Sequence, residues 1–336
     1  MLTNAELLER LDSAFKAITV GDLGEGVLAP QQFDRFIHAA QHSTVILQEA
    51  RFIPMDSHQV NIDRTGFSGW ILRSGKGEAG ASRELPPSEY AKPYFVTNKL
   101  ITEELQAITG IEDRALRRNI ERGNFENTLI TMFGEAAGRD LEAWFILGDK
   151  DISWGSDPVL NVLRLIDGWA KRAANKIYGG TGGDFNPKAE NWPENLFEAL
   201  LQALPKQYLQ DPSEWRFYVD WEVENAYRDL LKKRQTALGD AAVTTAPSLS
   251  YKNIPVKYVP MIGRSKNVAE NGAGDIAMLQ HPDNMAWGIF HEITIERDRV
   301  AKARRTDFVL TVEGDADYED ENAAVVAFID QDRIES

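Results

Sequence analysis

The chain has 336 residues, 43% of them hydrophobic and 26% charged, enough to bury a sizeable core in one large mixed domain or two smaller ones. Acidic residues outnumber basic ones by 52 to 37, a net charge of −15, which disfavours sequence-independent DNA binding by the whole surface. Cysteine is absent, which excludes disulfides and thiolate metal sites. No apolar run is long enough to span a bilayer and the first residues lack a secretory pattern, so the expectation is a soluble protein made inside a cell.

Residues 1–50 read as two short helices around a glycine break at Gly21, Gly24 and Gly26, an arm with little core of its own. Residues 51–104 read as strand-like. A strand from His58 to Arg73 returns through Pro93–Ile101, with a glycine- and proline-rich polar stretch between. A two-stranded arm of this length is marginal in water unless it packs on something. Asn124 can cap a helix running from 124 to 147, whose apolar residues recur at i, i+3 and i+4, roughly 36 Å long. Gly134 and Gly138 lie four apart on it and predict the close approach of another backbone.

Beyond it, helices are predicted over Val159–Ala174, Leu196–Leu204 and Asn225–Lys233. Strands are predicted at Trp215–Val219, Ile254–Met261, Ile276–Leu279 and Met285–Phe290. Gly179–Asp184 and Asn267–Gly274 read as exposed loops. Strands return at Glu292–Arg297, Asp307–Glu313 and Ala323–Ile329.

Each catalytic motif tried fails at a named residue. His291-Glu292 begins a zinc-protease motif, but Ile295 stands where the second histidine is needed. Gly66-Phe-Ser68-Gly-Trp70 misses the closing glycine of a nucleophile elbow. The glycine run 179–184 lacks the lysine of a phosphate loop, and Phe185 replaces the third glycine of a dinucleotide fingerprint. The run from Asp315 to Glu321 departs from a calcium loop at Asp320 and Val326, and reads instead as a solvated acidic turn. No enzyme, cofactor or metal site is expected.

One charge pattern stands out. Arg297, Arg299, Lys302, Arg304 and Arg305 form a basic block, and Asp315, Asp317, Glu319, Asp320 and Glu321 an acidic one. At opposite ends of a strand hairpin the two would lie apart within one subunit and meet between subunits, setting register between copies. The alternative is a pair of solvated loops.

Several stretches, in this order, resemble the major capsid proteins of tailed bacteriophages with the Hong Kong 97-type fold. They include 28–37, Ile62–Arg73, 119–128, Leu141–Asp149, Asp167-Gly-Trp169, 229–240, Tyr251–Val256, Trp287–Glu296 and Thr306–Leu310. The resemblance implies an α+β fold with an N-terminal arm (1–52), an extended hairpin loop (53–100) lying over an adjacent subunit, a peripheral domain with a long spine helix (101–154 and 291–336), and an axial domain (155–290). It implies a homo-oligomer of hexamers and pentamers closing an icosahedral shell around double-stranded DNA, without sequence-specific binding and without a membrane. Portal, scaffolding and decoration proteins are the implied partners, and the virion, after assembly in the host cytoplasm, the implied location. Candidate loop contacts are Phe67, Trp70, Arg73, Lys76 and Arg83; the basic loop would lie where capsomers meet. Because Met1 leads quickly into the arm, a separate scaffold or none is expected, and noncovalent locking rather than a crosslink through Lys76 and Asn322. The rival readings are an encapsulin-type compartment shell and a soluble α/β enzyme.

Overall fold

A computed structural model describes residues 37–67 (apart from 39 and 42), 71–76, 82–112, 125–180, 182–233, 249–264, 275–290 and 294–329. The expected helices before residue 37, the cap at Asn124, Trp70 and the loop 267–274 lie outside the described residues.

In chain order, α1 (Ile46–Glu49) leads into β1 (Arg51–Met55), and β2 (Gln59–Phe67) pairs antiparallel with β3 (Pro93–Ile101). Strand β4 (Glu103–Glu112) precedes the long helix α2 (Phe125–Leu147), and α3 (Pro158–Leu163) and α4 (Trp169–Arg172) follow it. Then come β5 (Asn175–Tyr178), α5 (Trp192–Ala203), β6 (Arg216–Val219), α6 (Trp221–Lys233), β7 (Leu249–Tyr251) and β8 (Ile254–Tyr258). The chain closes with β9 (Ile276–Gln280), β10 (Met285–Phe290), β11 (Thr294–Val300), β12 (Arg305–Tyr318) and β13 (Val325–Phe328).

These strands make two main sheets. One joins β1, β10, β12 and β11, with β4 also paired to β12; the other runs β5-β13-β9-β6-β8-β7. Period-2 alternation sorts the second sheet into two faces. Tyr218, Ile276, Met278 and Val326 turn to a core shared with α2 and the first sheet, and Phe217, Val219, Leu279 and Val325 turn to a second core under α5 and α6.

Helix α2 lies between the two sheets. Every residue from Leu141 to Leu147 is buried, so its last two turns carry no solvent face, unlike the single apolar stripe its periodicity predicts. Phe145 sits between the rings of Trp169 and Trp287, at 6.1 and 6.2 Å. The glycine expectation holds at Gly138: a Cβ there would lie 2.6 Å from Ala40 Cα.

The buried carboxylate of Glu142, on the same helix, accepts the Val45 and Ile46 N–H groups at 2.9 and 2.6 Å, orphan donors at the start of α1. Burial raises its pKa and those bonds oppose the rise. Glu49 then ties α1 to the second sheet, accepting the Tyr218 hydroxyl at 2.8 Å and pairing with Lys257.

The structure corrects several sequence expectations. The helix predicted over Val159–Ala174 is two short helices, because Gly168 is pressed against the end of α2: a Cβ there would meet Phe145 O at 2.6 Å. Strands β4, β5 and β7 were not anticipated. The two-residue turn between β7 and β8 places Lys252 and Asn253 at φ 48° and 69°, the doubly left-handed geometry of a tight hairpin. Gly179 belongs to no exposed loop; it is buried against Ile329 O and the Phe185 ring. Strands β1 and β10 join the first sheet and β13 the second.

Candidate functional site

The hairpin of β2 and β3 is the feature a lone subunit least explains. Its register runs from Gln59 opposite Ile101 to Phe67 opposite Pro93, so residues alternate between a face toward the body and a face away from it. Toward the body, Val60, Ile62 and Leu100 pack in a small cluster with Met55 and Ala286. On the outward face Phe67, Phe95 and Ile101 remain 55%, 73% and 50% exposed. Farther out, Leu72 is 78% exposed, and a bridge between Lys76 and Ser82 narrows the tip. Arg73 and Lys76 are exposed there, while Arg83 pairs with Glu89. Singly exposed apolar residues are ordinary; this many along one projecting element mark a contact surface.

The root of the hairpin is fixed by the acidic run. Glu313 Oε2 accepts the Thr102 hydroxyl at 3.0 Å and lies 2.8 Å from His58 Nδ1. Asp315 accepts the Ile101 N–H at 2.9 Å, Asn98 donates to Tyr318 O at 2.6 Å, and Arg64 pairs with Asp320. Glu319 meets Arg51 at 3.5 Å on the surface.

This overturns the reading of residues 315–321 as a solvated turn. Asp315 and Asp317 are 1% and 3% exposed and lie within β12, where both faces of the strand are covered. One guanidinium serves both carboxylates. Arg172 lies 3.3 Å from Asp315, pairs with Asp317, and donates through Nε to Asp167 O at 2.7 Å. Burial raises the Asp315 pKa and pushes that of Asp317 up to about 6; Arg172 opposes both. Asp320 behaves differently. Burial works against it, but hydrogen bonds from Tyr208 and Asn322, with Arg64 beside it, hold it below the usual carboxylate range. Asp315, Asp317 and Asp320 are therefore committed within the chain, and Glu319 and Glu321 are what the acidic block leaves for a neighbour.

The basic block lies at the far end of β12. Strands β11 and β12 pair antiparallel, and the turn between them, Ala301–Arg304, ends in a left-handed Arg304 (φ 50°). Arg299, Lys302 and Arg304 are exposed, and Arg305 bends back to Asp307 at 2.9 Å. The Arg297 backbone lies in β11; its side chain is outside the described residues. At about 3.3 Å per residue, β12 holds the turn and the acidic end roughly 43 Å apart.

Sequence reasoning missed Arg172, Glu142, Asn98 and Thr102. Arg172 had a near signal in the adjacent Asp167-Gly-Trp169; the others are common polar residues whose partners lie far off in sequence.

Among the described residues no group of three or more His, Asp or Glu side chains could hold a metal, and no helix is long and apolar enough to cross a membrane.

No family model matches the chain. It is 29% identical over 324 residues to a Bacillus subtilis (strain 168) protein named "Putative prophage capsid protein YqbE", covering 96% of this chain and 97% of that protein. Among solved structures, a chain of the satellite phage P4 procapsid superposes with a TM-score of 0.61 at 15% identity, with 98% of each chain covered. The capsid of a native GTA particle superposes with a TM-score of 0.56 at 17% identity, over 87% of this chain and 90% of that one. The chain thus has the fold of phage capsid proteins, and its resemblance to the major capsid proteins of tailed bacteriophages extends over nearly its whole length.

Proposed function

We propose that this protein is the major capsid protein of a tailed bacteriophage or prophage, a structural rather than catalytic protein whose copies close as hexamers and pentamers into an icosahedral shell around double-stranded DNA. The observation that carries the reading is the hairpin: a two-stranded element with an apolar outward face that none of the described residues covers. A neighbouring copy supplies the cover through heterologous contacts repeated around symmetry axes. The receiving surface that fits best is the outward side of the three strands β4, β12 and β11. There Ile108, 64% exposed, stands opposite Val309, with Glu104, Glu296 and Asp298 exposed around it. A portal, with any separate scaffold and decoration proteins, is the further partner this role implies, with assembly in the host cytoplasm and residence in the virion. The net charge of −15 suits a wall that holds packaged DNA loosely. An encapsulin-type shell is the less favoured reading, since the full-length relative is named for a prophage capsid.

The test is sedimentation of the purified protein at moderate salt, with electron microscopy of the fast fraction. Closed shells, or rings of five and six, are expected. A protein that stays monomeric with crowder and candidate scaffold present refutes the reading.

A further inference from the structure

Where the hairpin leaves the body, a cleft of about 540 Å³ opens. Val96, on the hairpin's inward face, and Phe67, at the strand end where the pairing stops, form an apolar roof, Gln207, Tyr208 and Gln210 the opposite wall, and Glu319–Asn322 the floor. The floor is acidic: Arg64 and Tyr208 engage Asp320, while Glu321 is exposed and the Glu319 carboxylate makes a surface pair with Arg51. An apolar roof over carboxylates matches a lysine or arginine side chain, which packs its aliphatic stem and presents a charged head.

We propose that this cleft receives the basic turn Ala301–Arg304 of a second copy, with Lys302 and Arg304 directed to Glu319 and Glu321. Three observations carry it. The turn is an exposed protrusion on which, among the described residues, neither Lys302 nor Arg304 holds an ion pair. It cannot reach its own cleft, because β12 separates the two by roughly 43 Å. The charges are complementary, and Asp315 and Asp317, the other carboxylates of the run, are already committed to Arg172. The contact is heterologous, one surface of a copy meeting a different surface of the next, as ring closure demands. It rests on the shell-forming reading above and adds which surfaces meet.

The chain lacks cysteine, so a double variant, Lys302→Cys with Glu321→Cys, carries the only thiols. Particles of this variant treated with a short bismaleimide are expected to give a ladder of covalent multimers on a denaturing gel. In parallel, Lys302→Glu/Arg304→Glu and Glu319→Lys/Glu321→Lys are each expected to lower particle yield by about tenfold, with circular dichroism of the subunit unchanged. Combining the two sets is expected to recover most of the yield. Particles that form normally but give only monomer bands, or charge sets that do not rescue each other, overturn the docking and leave the shell reading intact. Wild-type protein that forms no particles takes down both.

Discussion

Arg172→Met tests the buried charge cluster at the hairpin root. The variant keeps most of the side chain's volume and leaves Asp315 and Asp317 inside the protein without their cation. Removing one partner of a buried ion pair costs roughly 3–5 kcal/mol, because the remaining charge is uncompensated. That cost depends on protonation. The Asp317 pKa of about 6 stands above the ordinary aspartate value of 3.8, so the folded state binds the proton more tightly than the unfolded chain. Its contribution to stability is therefore fully present below about pH 4 and is lost as pH rises through about 6, a swing of about 3 kcal/mol for two pKa units. Without the guanidinium both carboxylates move further up. At pH 8 the full penalty is felt. At pH 5, below the Asp317 value, that carboxyl is largely protonated and the loss falls towards that of the missing hydrogen bonds, about 1–2 kcal/mol. Urea unfolding of the unassembled subunit, followed by tryptophan fluorescence, should give a destabilisation about 1–4 kcal/mol larger at pH 8 than at pH 5. Equal losses at the two pH values would refute the reasoning. Trp169 reports locally, since its indole N–H donates to Asp317 O at 3.1 Å.

Gly138→Val forces a side chain into the backbone at Ala40; strain of about 1–3 kcal/mol outweighs the gain of up to about 1 kcal/mol from removing a helical glycine, so unfolding should begin at lower urea. Glu142→Ala leaves the Val45 and Ile46 N–H groups unsatisfied and should raise their hydrogen-exchange rates by tenfold or more, corresponding to at least about 1.4 kcal/mol of local stability. Phe67→Ser with Phe95→Ser removes apolar surface that the subunit does not bury, so subunit stability should change by less than about 0.5 kcal/mol while sedimentation shows assembly lost.

Elements whose pattern was set by their own neighbours in the chain were legible. Strand β3 begins at Pro93 and ends at Ile101 as its composition predicts, and α2 ends at Leu147, before Gly148, as expected. Strand β4 was not, because its outward residues include Ile108 and its inward ones Thr109 and Ala107, so no clean alternation marks it. The break within 159–174 comes from the packing of Gly168 against α2, which no local periodicity records. The acidic run was misplaced for a related reason. Asp315 and Asp317 look like surface residues until Arg172, more than 140 positions earlier, is brought against them; a buried carboxylate needs such a cation or, as at Glu142, backbone N–H donors.

That correction changes where charge can act between copies. The hairpin from 59 to 101 carries six cations (Arg64, Arg73, Lys76, Arg83, Lys92, Lys99) against four carboxylates (Asp63, Glu78, Glu84, Glu89), in a chain whose net charge is −15. The hairpin thus carries a small net positive charge in an acidic molecule. Its root is held by Glu313, Asp315, Asp320 and the Tyr318 carbonyl, contacts confined to the half nearest the body. The pairing of β2 with β3 ends at Phe67 and Pro93, and among the described residues no third strand joins them. The cleft lies where this support ends. On the body side of it Arg64, Asp315 and Asp317 are paired within the chain; on the far side Leu72, Arg73 and Lys76 are exposed.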